Sequence, residues 1–156
     1  MMIFLNPWAD KRGTGFQIIQ SFIALGSGGI FGVGLGQSRQ KLFYLPASHT
    51  DFIFSIIGEE LGFLGTASIV TLFALFVWEA MKVVFAAPDM FRRMLSLAIV
   101  SLIAIEAIVN IGVSAGALPT KGLPLPFISY GGSGLIFHLA AVGLLLNIAK
   151  ECETVR

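Results

Sequence analysis

Three stretches of the chain run almost without charge. Residues 61–78 carry none, residues 94–119 carry only Glu106, and residues 122–149 contain only His138 as a group that could become charged. Each meets the length of ~18–20 apolar residues needed to cross about 30 Å of hydrocarbon, so three transmembrane helices are predicted. Upstream, Phe16, Ile19, Phe22 and Ile23 recur at helical spacing, with Gln17, Gln20 and Ser21 between them. That pattern predicts a short amphipathic helix lying in the membrane interface or against the bundle. It stops at Gly26-Ser27-Gly28-Gly29, and glycines follow at 32, 34 and 36. A regular helix would be costly there, at about 1 kcal/mol per Gly relative to Ala. Neither a dinucleotide-type nor a P-loop glycine spacing is present. Close packing, or an irregular loop lining a cavity, is expected instead.

Polar residues punctuate the spans. Pro46 interrupts the chain, and Ser48 with Asp51 three residues on fits a capping box opening a helix into Phe52 and Ile53. Gly58-Glu59-Glu60 stands just before the first uncharged span. Residues 79–93 read as a linker carrying Lys82, Arg92 and Arg93. Counting Lys and Arg on the two sides of three spans gives a tie, with a weak lean towards a cytoplasmic linker because it is short and dense in charge. The second span contains Gly112-x-x-x-Gly116, a small-residue face that lets helices approach closely. Between spans two and three, Pro119, Pro124 and Pro126 with Gly122, Gly131 and Gly132 argue against an uninterrupted helix. Non-helical backbone at membrane depth has to be buried in protein or line a wet cavity, so this loop is a candidate site wall.

Composition agrees with the pattern. Of 156 residues, 56% are hydrophobic and 12% charged, about half the ~25% charged fraction of soluble domains. The net charge of +1 offers no basic excess for nucleic acid. One cysteine, Cys152, can form neither an internal disulfide nor a cysteine-rich metal site. The few apolar residues before Pro7 are too short for a signal-peptide core. A long polar-to-amphipathic segment ahead of the first span reads as a chain beginning in the middle of a larger protein.

Few residues could carry chemistry. Asp51 is either a helix N-terminal carboxylate favoured by the dipole, or a general base or cation ligand beside apolar surface. His49 could assist it or simply lie at the surface near the cap. Glu59 and Glu60 point about 100° apart on a helix, which suits polar anchors better than a shared site. Arg39, Lys41 and Lys121 could bind a phosphorylated headgroup, or contact ordinary phospholipid as interfacial cations do. Glu106 is expensive near the middle of its span unless it is protonated, or paired with Asn110 or with a polar group of another helix. His138 fits a satisfied interior histidine better than a metal ligand.

Several motifs occur together and in order: Asn6-Pro7-Trp8, Gln20-Ser21, Gly34-x-Gly36, Leu45-Pro46, His49-Thr50-Asp51-Phe52-Ile53-Phe54, Gly58-Glu59-Glu60-x-Gly62 and Pro126-Phe127-Ile128-Ser129-Tyr130-Gly131-Gly132. In this order they resemble the C-terminal part of the SEDS family (shape, elongation, division, sporulation). Pro119-Thr120-Lys121-Gly122 is more similar to its division branch, FtsW, than to RodA. The resemblance implies an all-α polytopic membrane protein that polymerises peptidoglycan glycan strands from lipid II. Its implied partners are a class B penicillin-binding transpeptidase and other divisome membrane proteins, in the bacterial inner membrane. Residues 1–60 would then be an extracytoplasmic segment, residues 61–149 a portion of the helical bundle, and residues 150–156 a cytoplasmic tail. Asp51 matches the family's essential aspartate and would be catalytic. Arg39, Lys41, His49, Thr50, Lys121 and Ser129 would bind substrate, and Glu59, Glu60, Pro126, Tyr130, Gly131 and Gly132 would be structural or auxiliary. A divalent cation, Mg or Mn, could share the charge of the leaving diphosphate with Arg39, Lys41 and Lys121. The chain departs from similar proteins at Ala47 and Phe43, where an acidic residue is often found. A lipid II flippase, and a non-catalytic scaffold packing through Gly112 and Gly116, are the alternative expectations.

Overall fold

Each uncharged stretch supplies most of a helix, but the helix ends do not coincide with the charges. A computed structural model describes residues 14–36, 52–119 and 123–154. Four helices account for the regular structure among them: α1 (Thr14–Ser27), α2 (Ile53–Ala86), α3 (Met90–Ser114) and α4 (Gly132–Thr154). No strand occurs among the described residues, and α2, α3 and α4 are each long and apolar enough to cross a membrane. Only 6% of the most apolar window of α2, 33% of that of α3 and 17% of that of α4 is buried within the chain. Phe63, Leu72, Trp78, Phe85, Phe91, Ile108, Ile136 and Phe137 all point outward, with more than half their surface exposed. Such a surface is stable against hydrocarbon or other apolar helices and not against water.

Three small buried clusters hold the described spans together, the smallest being Phe52 with Val113. At the end where α2 meets α3, Ala80, Val84, Val100 and Leu145 are buried against one another, with Phe76 and Met81 packed beside them. Towards the opposite end, Phe54, Ala107 and Leu125 form a second cluster with Leu25, Ile69, Phe73 and Ile111. The expected linker over residues 79–93 is mostly helix: α2 runs to Ala86 and α3 starts at Met90. Pro88 cannot continue α2, and the Asp89 carboxylate caps α3 by accepting the Arg92 N–H at 2.8 Å. Arg92 also pairs with Glu151, tying this turn to the far end of α4.

Helix α2 opens at Ile53 with Phe52 at its N-cap and no side-chain cap bond. Ser48 and Asp51, the expected capping box, lie outside the described residues. One local expectation is corrected: Gly112 and Gly116 form no shared helix face. Gly116 lies past the end of α3 at φ +70°, with Ala117 N–H bonded to the Gly112 carbonyl at 2.7 Å. It acts as a helix terminator, and the Phe22 ring of α1 fills the space a side chain would need.

Candidate functional site

Helix α2 is broken near its start. Gly62 sits at φ 68°, ψ −162°, a conformation essentially confined to glycine, and divides residues 53–61 from the longer piece that spans. A break of this kind would unpair the carbonyls of Glu59 and Glu60 and the N–H groups of Phe63 and Leu64, which would otherwise bond to each other. The glycine-rich segment after α1 satisfies all four. Val33 and Gly34 donate to the Glu59 and Glu60 carbonyls at 2.9 and 3.1 Å, while Phe63 and Leu64 donate to the Gly29 and Ile30 carbonyls at 2.9 and 3.3 Å. The two backbones have to touch for this exchange. A side chain at Gly28 would meet the Gly58 carbonyl, and one at Gly32 would meet that of Glu60. The expectation of close packing for these glycines is correct, and its partner is the Gly58–Gly62 motif.

Serines fasten the same region. Ser21 of α1, Ser55 of α2 and Ser114 of α3 are all fully buried. The Ser21 hydroxyl donates to the Ser114 carbonyl at 2.9 Å and lies 2.5 Å from the Ser55 hydroxyl. With the Ser21 proton so used, Ser55 donates to Ser21. Ser21, of the Gln20-Ser21 motif, thus joins α1 to two spans.

Glu59 is buried, with 3% of its surface exposed, whereas a polar anchor would face out. Glu60 is half-buried, and its Oε1 is buried without a hydrogen-bond partner among the described residues. The break thus turns two adjacent carboxylates inward at the start of a span.

The proline-rich loop forms the second element. Leu125 and Pro126 are buried, the Ser129 hydroxyl accepts the Leu125 N–H at 2.7 Å, and the Ser129 N–H donates to the Leu125 carbonyl at 3.0 Å. Asn110 of α3 donates to the Leu123 carbonyl at 2.8 Å, which anchors the start of the loop. Gly131 accepts the Leu135 N–H and leads into α4 at Gly132. A cavity of ≈ 330 Å³ opens here, lined by Leu125, Phe127, Ser129, Tyr130, Ser133 and His138 among others. Tyr130 is 84% exposed at its rim, and among the described residues no atom outside the local backbone crowds the Cβ positions of Gly131 or Gly132. The site-wall expectation for this loop therefore has a concrete form.

Glu106 and His138, which stand 32 positions apart in the sequence, meet across α3 and α4 with Glu106 Oε2 2.6 Å from His138 Nε2. This is the expected pairing of Glu106 with a polar group of another helix. Their depth in two spans was the only signal available, because helical spacing cannot pair residues of different helices.

Asp51, Arg39, Lys41, His49, Thr50 and Lys121 lie outside the described residues. Ser129, Tyr130 and Gly131 share the cavity, Pro126 is buried beneath it, and Glu59 and Glu60 belong to the broken-span element. Among the described residues no three of His, Cys, Asp or Glu gather as a metal site would require.

Three spans, a broken first span and a looped entry to the third define a polytopic membrane protein of all-α class. The family model for cell cycle proteins of the FtsW, RodA and SpoVE type matches residues 1–154, and the chain belongs to that family. It is 53% identical to stage V sporulation protein E of Bacillus subtilis over 147 residues, covering 94% of this chain and 40% of that protein. It is 59% identical to the probable peptidoglycan glycosyltransferase FtsW of Trichlorobacter lovleyi over 146 residues, 94% of this chain and 38% of that one. Among solved structures, it resembles a chain from work on structural coordination of polymerization and crosslinking by a peptidoglycan synthase complex. That match has a TM-score of 0.75 at 28% identity, covering 97% of this chain and 40% of the other. A variant of the rod shape determining protein RodA from Thermus thermophilus matches with a TM-score of 0.64 at 33% identity, covering 84% and 39%. The chain thus spans about 40% of the length of the relatives it matches.

Proposed function

We propose that this chain carries the C-terminal, catalytic part of a peptidoglycan glycosyltransferase that polymerises glycan strands from lipid II during cell division. The observation that carries the reading is its 53–59% identity, over almost its whole length, to proteins named as probable peptidoglycan glycosyltransferases FtsW. The cavity beside the Ser129-Tyr130-Gly131 loop and the inward-turned glutamates support it.

The reaction joins two lipid-linked saccharides. A sugar hydroxyl of one attacks the anomeric carbon of the other, a glycosidic C–O bond forms, and the bond to the diphosphate breaks. The polyprenyl diphosphate leaves with the electron pair. A hydroxyl is a weak nucleophile near neutral pH, so Asp51 takes its proton in the transition state. Arg39, Lys41 and Lys121 stabilise the charge gathering on the leaving diphosphate, and His49, Thr50 and Ser129 hold the substrate. A divalent cation, if bound, would supply further charge stabilisation there. No trio of ligands for it gathers among the described residues.

In this reading residues 1–60 face the outside of the bacterial inner membrane, and the α2–α3 turn faces the cytoplasm. The similarity to a structure concerned with polymerization and crosslinking supports a transpeptidase partner of the class B penicillin-binding type, within the divisome. The test is glycan-strand lengthening from lipid II by the polypeptide as the cell makes it, reconstituted in lipid. Asp51→Ala should reduce it ~10²-fold or more, on the scale of a lost general base. Undiminished polymerisation by that variant overturns the assignment. The broken span also fits a lipid transporter. Lengthening in detergent, without any membrane gradient, separates polymerase from flippase.

A further inference from the structure

We infer that Glu106 and His138 are a positioning pair, holding loop 125–131 in the shape that walls the candidate site. The inference rests on the proposed function only in taking that loop as a site wall.

Both residues sit well inside the membrane. At 1.5 Å per residue, His138 is ~9 Å from the start of α4 and Glu106 ~12 Å from the end of α3. Alone, each would be an expensive polar group in hydrocarbon. Together they satisfy one another at 2.6 Å, with 11% of the His138 side chain and 20% of the Glu106 side chain exposed. Joining α3 to α4 needs no more than that. His138 does more, because it also lines the loop cavity and meets the Phe127 ring edge-on, with centroids 5.4 Å apart and planes at 60°.

Phe127 is where the loop is strained. It is the sole non-glycine residue at positive φ (65°) among the described residues. A bulky residue stays there only when its surroundings over-determine it. Two rings do so: His138 on one side and Phe76 of α2, 6.3 Å away at 67°, on the other. Packing restricts how an imidazole turns about its own axis, and a hydrogen bond to a ring nitrogen selects one orientation. Glu106 holds Nε2, which sets the ring plane that Phe127 packs against. The chain of contacts therefore runs from Glu106 to His138 to Phe127, and from there into the buried Leu125-Pro126 step and the Ser129 turn. Glu106 acts on the site entirely through this relay.

The test places 4-fluorophenylalanine at position 127, and separately at exposed position 85 as a distant control, in the polypeptide as the cell makes it, held in lipid nanodiscs. Glu106→Ala and His138→Leu should each shift or broaden the fluorine resonance of position 127 and leave that of position 85 unchanged. Glu106→Gln keeps an oxygen for Nε2 and should retain the parent resonance. Glycan lengthening should fall roughly 10-fold or more in the first two variants and stay within about twofold in the third, as misplacement of a site wall predicts. The inference is overturned if position 127 is unchanged in Glu106→Ala, whatever His138→Leu does, if Glu106→Gln behaves like Glu106→Ala, or if position 85 changes as much as position 127. A parent protein that lengthens no glycan overturns the proposed function, and the fluorine spectra still decide the pair.

Discussion

Glycine does different work at neighbouring positions in this chain. Gly62 holds a backbone conformation that other residues avoid, and its missing side chain leaves room for Ile30 and Gly32. Gly62→Ala should cost at least ~1–3 kcal/mol for the backbone alone, read as a lower midpoint of thermal unfolding in detergent. Gly26, in the last turn of α1, has nothing near its Cβ position among the described residues and no unusual φ. Gly26→Ala should be neutral or stabilise by up to about 1 kcal/mol. If the two substitutions have equal effects, the backbone exchange does not hold the break. Both glycines belong to glycine-rich stretches visible in the sequence. Composition marked the stretches, but the need for one particular glycine comes from a backbone that approaches from elsewhere in the chain.

At the scale of elements, the ends of helices decide how they join. Helix α1 has an amphipathic pattern that the sequence displays, and the Ser21 hydroxyl on it bonds to both neighbouring spans. Ser21→Ala would leave the Ser114 carbonyl and the Ser55 hydroxyl buried without their partner, at a cost of roughly 1–3 kcal/mol. The double variant Ser21→Ala/Ser55→Ala should cost less than the sum of the singles, since both remove the same bond. Additive losses in a denaturation series would exclude the shared bond. The glycine pair at 112 and 116 shows the opposite case. Its spacing suggested a helix–helix face, but α3 ends between the two residues, so spacing counted along a continuous helix no longer applied. Likewise, Glu106 and His138 were each legible as polar groups at depth, and only the packing of α3 on α4 made them a pair.

The whole molecule has two faces. The α2–α3 turn and the end of α4 lie together, joined by Arg92 and Glu151, while the glycine loop and the proline loop lie at the other ends of the spans. Cys152 is the single cysteine and is partly exposed, so it reports on the first face. A membrane-impermeant thiol reagent should label Cys152 from the same side as a cysteine introduced at Phe91. With Cys152 replaced by Ser, a cysteine at Phe31 should label from the opposite side. Cys152 and position 31 labelling from one side would refute the three-span topology.

The sequence by itself determined that this is a membrane protein of three helical spans with a short helix before them. Run length and helical periodicity are local quantities, and hydrocarbon thickness sets the threshold they must meet. The ordered motifs carried the family as well. Tertiary structure alone decided that the first span breaks at Gly62, that the glycine loop repairs the break, and that Glu106 reaches His138. Each of these is a bond between segments far apart in the chain. Which distant partner answers an unpaired polar group depends on how the helices pack, and no local pattern records it.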